Sequence, residues 1–116
     1  MPSSTIHVKQ YDTAPPASTT LEVGGTAVDI ENATIQFHLK DRAGNIIVDA
    51  AANNDQVGDG SDGTLGMVSY DWADGDTDDP ISGGRAEWEV TFIDGTVRRF
   101  PTKGYQPCYI WGAVIE

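Results

Sequence analysis

The sequence predicts a single all-β domain, and three observations support this prediction. First, apolar side chains occupy every second position in Ala33–Lys40, which places them on one face of a strand. Second, glycine-containing turn signals separate the segments that show this alternation. Third, no segment carries the i, i+3, i+4 apolar spacing of a helix, so we expect little or no helix. The length of 116 residues suits one hydrophobic core, so residues 1–116 are predicted to form one domain.

Two further segments show the same alternation. Arg85–Phe92 places charged residues on one face and apolar residues on the other. Val68, Tyr70 and Trp72 also stand at alternate positions. Such alternation is typical of antiparallel strands with one packed face and one solvated face. We therefore expect Trp72 and Trp88 to point into the core.

The turns between strands are predicted from short dipeptides. Asp94-Gly95 follows an alternating strand and precedes another apolar segment, which predicts a two-residue hairpin turn with positive φ at both positions. Gly24-Gly25 predicts a second hairpin of the same kind. About seven to eight short antiparallel strands joined in this way predict an immunoglobulin-like β-sandwich.

The charge balance restricts the partners of the chain. Eighteen acidic residues face seven basic ones, for a formal net charge of -11. A field of this sign repels nucleic acids and anionic membranes, so we expect neither as a partner. Lysine occurs only at Lys9, Lys40 and Lys103. An acidic, lysine-poor surface suits a protein from a high-salt environment, because salt screens its self-repulsion. A well-hydrated acidic surface at ordinary salt is the alternative.

The N-terminus and the single cysteine bear on the cellular compartment. Met1–Ser4 lacks the basic and apolar blocks of a secretory signal, so we expect synthesis in the cytoplasm without a signal peptide. Cys108 has no second cysteine with which to form an internal disulfide. We expect it to be a small buried residue, and the fold to depend on packing alone.

The acidic loop between two strands raises the question of a metal site. Asp74, Asp76 and Asp78 have the spacing that begins an EF-hand calcium loop. The pattern then fails, because Asp79 stands where glycine is needed and Arg85 where a bidentate glutamate is needed. We therefore expect no cofactor, with a surface calcium ion at these aspartates or Asp71 as the alternative.

The residues of an enzyme site are not evident in the sequence. General acid–base catalysis needs a carboxylate with a raised pKa in an apolar pocket, and the acidic residues here fall in loops or on polar strand faces. His7 and His38 lack a serine or cysteine in a nucleophile motif. We therefore expect no catalytic residues and no enzymatic activity.

Two segments are candidates for contact with a partner. The run from Cys108 to Ile115 is unusually apolar, so its alternate side chains cannot all be solvated. We favour a central strand buried on both faces. The alternative is contact with another subunit through Tyr109, Trp111 and Ile115, because aromatic anchors are enriched at interfaces. The N-terminal arm, Met1–Thr5, is the second candidate.

Several segments together resemble one known family. Val8–Pro16 resembles the opening strand of the N-terminal domain of phage baseplate upper proteins. The resemblance continues in the same order through four further segments, which are Gly25–Phe37, Tyr70–Asp78, Arg85–Gly95 and Phe100–Tyr105. The resemblance covers most of the chain. It implies a small immunoglobulin-like sandwich with a structural role in a tailed virus of bacteria or archaea.

The resemblance also guides the expected role and partners. Asp76-Thr77 belongs to the fold signature of that family, which favours turn chemistry over calcium at this position. Longer family members continue into receptor-binding or fibre-holding parts, whereas this sequence stops at Glu116. We therefore expect an adaptor or assembly component of the tail, baseplate or neck, or a decoration or turret component of the capsid. The expected partners are other virion proteins, in a homo-oligomer or a symmetric assembly within the particle.

A carbohydrate-binding or adhesive module is the main alternative function. β-Sandwiches bind sugars through exposed aromatic residues, and Trp72, Trp88 and Trp111 are the available tryptophans. Because Trp72 and Trp88 are expected to point inward, only Trp111 is a candidate for this role. A hydrolase is a third class; it would require a concave site with a perturbed carboxylate, and the sequence gives no reason to expect one.

Overall fold

The computed structural model describes residues 5–114 of the chain, and its regular structure consists of strands. In chain order these are β1 (Ile6–Lys9), β2 (Ala17–Thr20), β3 (Glu22–Val23), β4 (Thr26–Ala27), β5 (Thr34–Lys40), β6 (Ile46–Asn54), β7 (Met67–Tyr70), β8 (Ile81–Thr91), β9 (Val97–Phe100) and β10 (Gln106–Trp111). Within residues 5–114 there is no helix with the length and apolar character needed to cross a membrane. The predicted all-β class is confirmed.

The order of the strands is that of an immunoglobulin-like sandwich. The hydrogen-bonded sequence is β1-β10-β8-β5-β6-β7-β2, and β9 pairs with β8 beyond the end of β10. β5, β8 and β10 correspond to strands C, F and G of such a sandwich, and β2, β7 and the end of β6 correspond to B, E and D. β6 joins the two layers, because its first part pairs with β5 and its last residues pair with β7.

One pair of strands departs from the predicted antiparallel arrangement. β1 runs parallel to β10, with Ile6 opposite Cys108 and Lys9 opposite Trp111. The first and last strands of the described chain are therefore neighbours at one edge of the sandwich. A parallel pair of strands needs a long connection, and here the whole rest of the domain provides it.

The middle of the sandwich is filled by four aromatic side chains, Phe37, Tyr70, Trp72 and Trp88, which we call the core aromatic cluster. The ring of Phe37 lies 4.5 Å from that of Trp88 and 4.9 Å from that of Tyr70, measured between centroids. Trp72 meets both Phe37 and Tyr70 edge-on. All four side chains are buried, which confirms the inward direction predicted for the two tryptophans.

The two predicted hairpins exist, but only one has the predicted turn. Gly24 and Gly25 both have positive φ, of 59° and 86°, and they join β3 to β4 as a two-residue turn. In the second hairpin Gly95 has a φ of 89°, whereas Asp94 is not among the residues with positive φ. The amide of Gly95 donates to the carbonyl of Phe92, which makes a type I turn followed by a glycine bulge. The two-residue turn predicted for Asp94-Gly95 is therefore wrong, because a non-glycine residue avoids positive φ when a longer loop is available.

Candidate functional site

The edge formed by β1 and β10 carries a group of exposed aromatic rings. Side chains alternate along each strand, so Ile6, Val8, Cys108 and Ile110 point inward. His7, Tyr109 and Trp111 consequently share the outer face, and the parallel register places His7 opposite Tyr109. We call these three side chains the surface aromatic cluster, and they are drawn from the first and last strands of the described chain.

The three rings of the surface aromatic cluster are nearly parallel to one another. The centroid of His7 lies 5.7 Å from that of Tyr109 and 6.0 Å from that of Trp111, and the Tyr109 and Trp111 centroids are 5.4 Å apart. The interplanar angles are 13°, 18° and 17°. Offset stacking of this kind contributes about 0.5–1.5 kcal/mol per pair beyond the area it buries.

A hydrogen bond fixes the orientation of two of these rings. The Nε1–H of Trp111 donates to Nδ1 of His7 over 3.1 Å. Because an indole nitrogen can only donate, Nδ1 of His7 accepts, and the proton of the neutral imidazole resides on Nε2. The indole of Trp111 remains 51% exposed, so this ordered ring is available at the surface.

Hydrogen bonds beside the cluster hold the end of β10 against β1. The amide of Gln10 donates to the carbonyl of Trp111 over 2.7 Å. The side chain of Gln10 accepts from the amide of Ala113, and Nζ of Lys9 donates to the carbonyl of Gly112. The rings of the surface aromatic cluster therefore sit on backbone that is tied at both strands.

The prediction for the C-terminal run is confirmed in one respect and wrong in another. β10 does lie inside its sheet, between β1 and β8. It is not buried on both faces, because Tyr109 is only partly buried and Trp111 is exposed on the outer face. The reason is that no second layer covers the outer side of this edge among the described residues. Ile115, the third predicted contact residue, lies outside the described residues, as does most of the N-terminal arm.

His7 is the member of the cluster that the sequence did not identify. Its place at the start of the chain, opposite Tyr109, depends on the parallel pairing of β1 with β10. The alternation of Ile6 and Val8 shows that His7 points outward, but no local signal indicates its neighbour across the sheet. Tyr109 and Trp111 could be grouped in advance because they stand two residues apart on one strand.

The acidic loop between β7 and β8 is organised by turn contacts. The carboxylate of Asp76 accepts from the hydroxyl of Tyr70 over 2.6 Å and from the amide of Ala73 over 2.8 Å. Thr77 is buried, and its hydroxyl donates to the carbonyl of Asp12. Within residues 5–114 no group of three or more histidine, cysteine or acidic side chains is arranged to hold a metal ion. The contacts of Asp76 account for its place in the loop, while Asp74 and Asp78 are exposed.

The environment of Tyr70 raises the pKa of its phenol above the ordinary value. Burial in the core is the larger cause, and the hydrogen bond to the negatively charged Asp76 adds to it. The phenol is therefore held in its neutral, donating form, which links the core aromatic cluster to the acidic loop.

A second polar group lies on the open outer face of β5, β6 and β8. His38 sits between two carboxylates, with Nδ1 3.1 Å from Asp49 and Nε2 2.8 Å from Glu89. Gln36 donates to the same Asp49, and Arg99 lies 3.6 Å from Glu89. His38 is half-buried by these partners. Thr34 and Thr91 are the hydroxyl-bearing residues beside this group.

Cys108 lies on the inner face of β10 and is fully buried. Burial raises the pKa of its thiol to about 12, because the charged thiolate would lose its hydration. Cys108 is thus a packing residue directly behind the surface aromatic cluster, as the sequence predicted.

Comparison of the chain with protein-family models, with curated protein sequences and with solved structures finds no significant match.

Proposed function

We propose that this chain is a structural protein of a tailed virus particle, from a phage or a haloarchaeal virus, and that it joins its neighbours through the surface aromatic cluster. In this role it serves as an adaptor or assembly component of the tail, baseplate or neck, or as a capsid decoration or turret component. The observation that carries the interaction role is the ordered, exposed set of His7, Tyr109 and Trp111 on a highly charged chain. The assignment to a virus rests on the resemblance of the sequence to baseplate upper proteins.

The surface aromatic cluster has the properties of an interface anchor. Tryptophan and tyrosine supply large contact areas and account for much of the binding energy at protein interfaces. Side chains that are already ordered lose less conformational entropy when a partner binds. Here the stacking of the rings and the hydrogen bond from Trp111 to His7 provide that order before binding.

The charge around the cluster favours a specific partner over nonspecific association. A net charge of -11 keeps copies of the chain apart except where a complementary surface offsets the repulsion. A standard interface buries about 800 Å² on each partner, so contact extends from the cluster across the neighbouring outer face. Arg85 of β8 and Lys9 of β1 lie on that face and supply positive charge to an acidic neighbour.

The test of the viral assignment is immunogold electron microscopy of purified particles with antibody against this chain. Label at a fixed position on the head, neck or tail supports the proposal and gives the location. Particles without label, with the protein found only in infected cells, exclude a virion role.

The test of the contact surface is assembly by a Trp111→Ala variant. We expect this variant to be lost from particles, or to associate at least tenfold more weakly in sedimentation experiments, because an anchoring tryptophan contributes about 2 kcal/mol or more. The matched control is Ile93→Ala, which removes an exposed apolar side chain from the β8–β9 hairpin, at the opposite end of β8 from the residues that pair with Cys108 and Ile110. Normal incorporation of Trp111→Ala would exclude the surface aromatic cluster as the contact surface.

The proposed high-salt origin has its own test. Mutual repulsion among the 18 acidic side chains weakens as salt screens them, so stability rises with salt concentration. We expect the midpoint of thermal unfolding to increase between dilute buffer and molar sodium chloride. A midpoint that does not change over this range contradicts the high-salt origin and leaves the contact surface unaffected.

A further inference from the structure

The chain that pairs with one edge of β8 is interrupted between β9 and β10, and a cleft opens into the sandwich at this interruption. β9 and β10 pair with the same edge of β8, with Phe100 opposite Trp88 and Gln106 opposite Ala86. Residues 101–105 therefore stand opposite the single residue Glu87 and leave the sheet as a loop. Large bulges of this kind are common beside functional sites. Together with the β3–β4 hairpin, this loop borders a cleft of about 970 Å³.

The cleft is lined in part by a buried side-chain amide whose nitrogen has no hydrogen-bond acceptor within residues 5–114. The Nε1–H of Trp88 donates to Oε1 of Gln106 over 2.8 Å, and Gln106 is only 1% exposed. Because the indole can only donate, the amide of Gln106 cannot be reversed, and its Nε2 must face away from Trp88. Among the described residues nothing accepts from Nε2. Buried donors are nearly always paired, so this donor is able to bind an acceptor that enters the cleft.

The walls and rim of the cleft indicate the chemistry of that acceptor. The hydroxyl-bearing residues Thr19, Thr20 and Thr102 line it, and Tyr105 stands at its border with its side chain half-exposed. Glu22 and Lys103 contribute one charge of each sign. The lining is therefore electrically balanced although the chain as a whole is strongly acidic, which favours a neutral ligand.

We propose that this cleft binds a neutral sugar, as a single residue or a short oligosaccharide. A sugar ring presents an apolar face that packs on Tyr105, and hydroxyl groups that both donate and accept. One of its oxygens accepts from Nε2 of Gln106, while the threonine hydroxyls bind others. The cleft is in the size range of small-molecule sites, and this function is separate from assembly through the surface aromatic cluster.

Binding requires a small movement of the rim. Nε2 of Gln106 is covered in the unliganded chain, so a sugar oxygen reaches it only when the covering atoms shift. Residues 102–105 are exposed and lie outside the β-ladder, so they can move without disturbing the paired strands. Sugar binding should therefore change the NMR signals of the backbone amides of this loop and of the side-chain amide of Gln106 together.

The experiment is an NMR titration of the ¹⁵N-labelled chain with maltotriose, triacetylchitotriose and lactose. At least one of these sugars is expected to cause saturable shifts in the Gln106 side-chain amide and in residues 102–106, at concentrations up to about 20 mM. Tyr105→Ala should weaken that binding about fivefold, because it removes the stacking surface. Gln106→Leu removes the side-chain amide and so tests whether Nε2 donates to the sugar. If Gln106→Leu fails to fold, the loss of sugar affinity in Tyr105→Ala still tests the proposal.

The matched control is Ile93→Ala, which changes an exposed residue that neither lines the cleft nor belongs to the surface aromatic cluster, so it should bind the sugar as the wild type does. Two results overturn the sugar proposal. One is the absence of saturable shifts at the cleft with all three sugars. The other is a set of shifts confined to Tyr109 and Trp111, which would place the sugar on the surface aromatic cluster instead. Neither result depends on whether the chain is found in virus particles.

Discussion

The core aromatic cluster and the surface aromatic cluster are built from similar residues and differ in geometry. In the core, Trp72 meets Phe37 and Tyr70 at interplanar angles of 87° and 86°. At the surface, the rings of Tyr109 and Trp111 lie within 17° of parallel. Core rings pack against neighbours in all directions, and a mixture of stacked, tilted and edge-on contacts fills such a volume, with Phe37 and Tyr70 stacked at 19°. The surface rings have neighbours only along the sheet and expose the rest of their area.

The two clusters also use their polar atoms differently. Trp88 donates to Gln106 inside the protein, and Tyr70 donates to Asp76 at the boundary of the core. Trp111 donates to His7 at the surface. The comparison teaches that similar aromatic composition serves stability in one place and availability for contact in the other. The following predictions test this division, beginning with the largest effect.

Trp88→Ala should destabilise the chain by about 3–5 kcal/mol, because it leaves a cavity beside Phe37 and removes the partner of Gln106. Trp111→Ala should cost less, about 1–2 kcal/mol, because the half-exposed indole buries little area but stacks on both His7 and Tyr109. Urea unfolding followed by circular dichroism gives both free energies of unfolding. Equal losses in the two variants would show that the surface aromatic cluster is a second part of the core.

Tyr70→Phe should cost about 1–3 kcal/mol at neutral pH, because it removes the hydrogen bond to Asp76. The pKa of Tyr70 is raised in the folded chain from an unfolded value near 10. Its contribution is therefore complete below about pH 10 and is lost as the pH rises above that value. The wild type and Tyr70→Phe should accordingly approach one another in stability in alkaline solution.

The control for the alkaline experiment is Tyr11→Phe, because Tyr11 is exposed. Its free energy of unfolding should run parallel to that of the wild type at every pH. A constant difference between Tyr70→Phe and the wild type from neutral to alkaline pH would contradict the raised pKa of Tyr70 in the folded chain.

His7→Ala and Trp111→Ala should show a coupling free energy of about 0.5–1.5 kcal/mol in a double-mutant cycle, because the two rings stack and share a hydrogen bond. The free energies of unfolding of the wild type, both single variants and the double variant provide this value. Additive losses would mean that the rings are neighbours without being coupled, and would remove the argument that the cluster is ordered before binding.

The reactivity of Cys108 should show the smallest change. Because this thiol lies on the inner face of β10, its reactivity reports on the pairing of β1 with β10. In the native chain we expect almost no reaction with a thiol reagent at pH 8, because burial raises the pKa of this thiol to about 12. His7→Ala should loosen the pairing of β1 with β10 and increase the labelling rate by more than its loss of global stability accounts for. A native thiol that reacts at the rate of a free cysteine would show that this edge is already open.

The strand content and the inner face of the fold were predictable from local patterns. Alternation alone identified Trp88 as inward and grouped Tyr109 with Trp111. The turn at Asp94-Gly95 was located but assigned the wrong geometry, since one dipeptide is compatible with hairpin loops of different length. His7 and Gln106 could not be placed, because their roles depend on partners that are distant in sequence. His7 bonds to a residue 104 positions away, and Gln106 bonds to one 18 positions away. Pairing between distant strands depends on topology, which periodicity does not encode.

The parallel pairing of β1 with β10 has a consequence for when the surface aromatic cluster exists. His7 and Trp111 are separated by 104 positions, so the cluster forms only after the chain has closed a loop that includes the whole domain. Contacts of such long range are among the slow events of folding. A partner that requires all three rings therefore recruits only subunits that have finished folding. Assembly through this edge would include a check on the quality of each subunit without a separate chaperone.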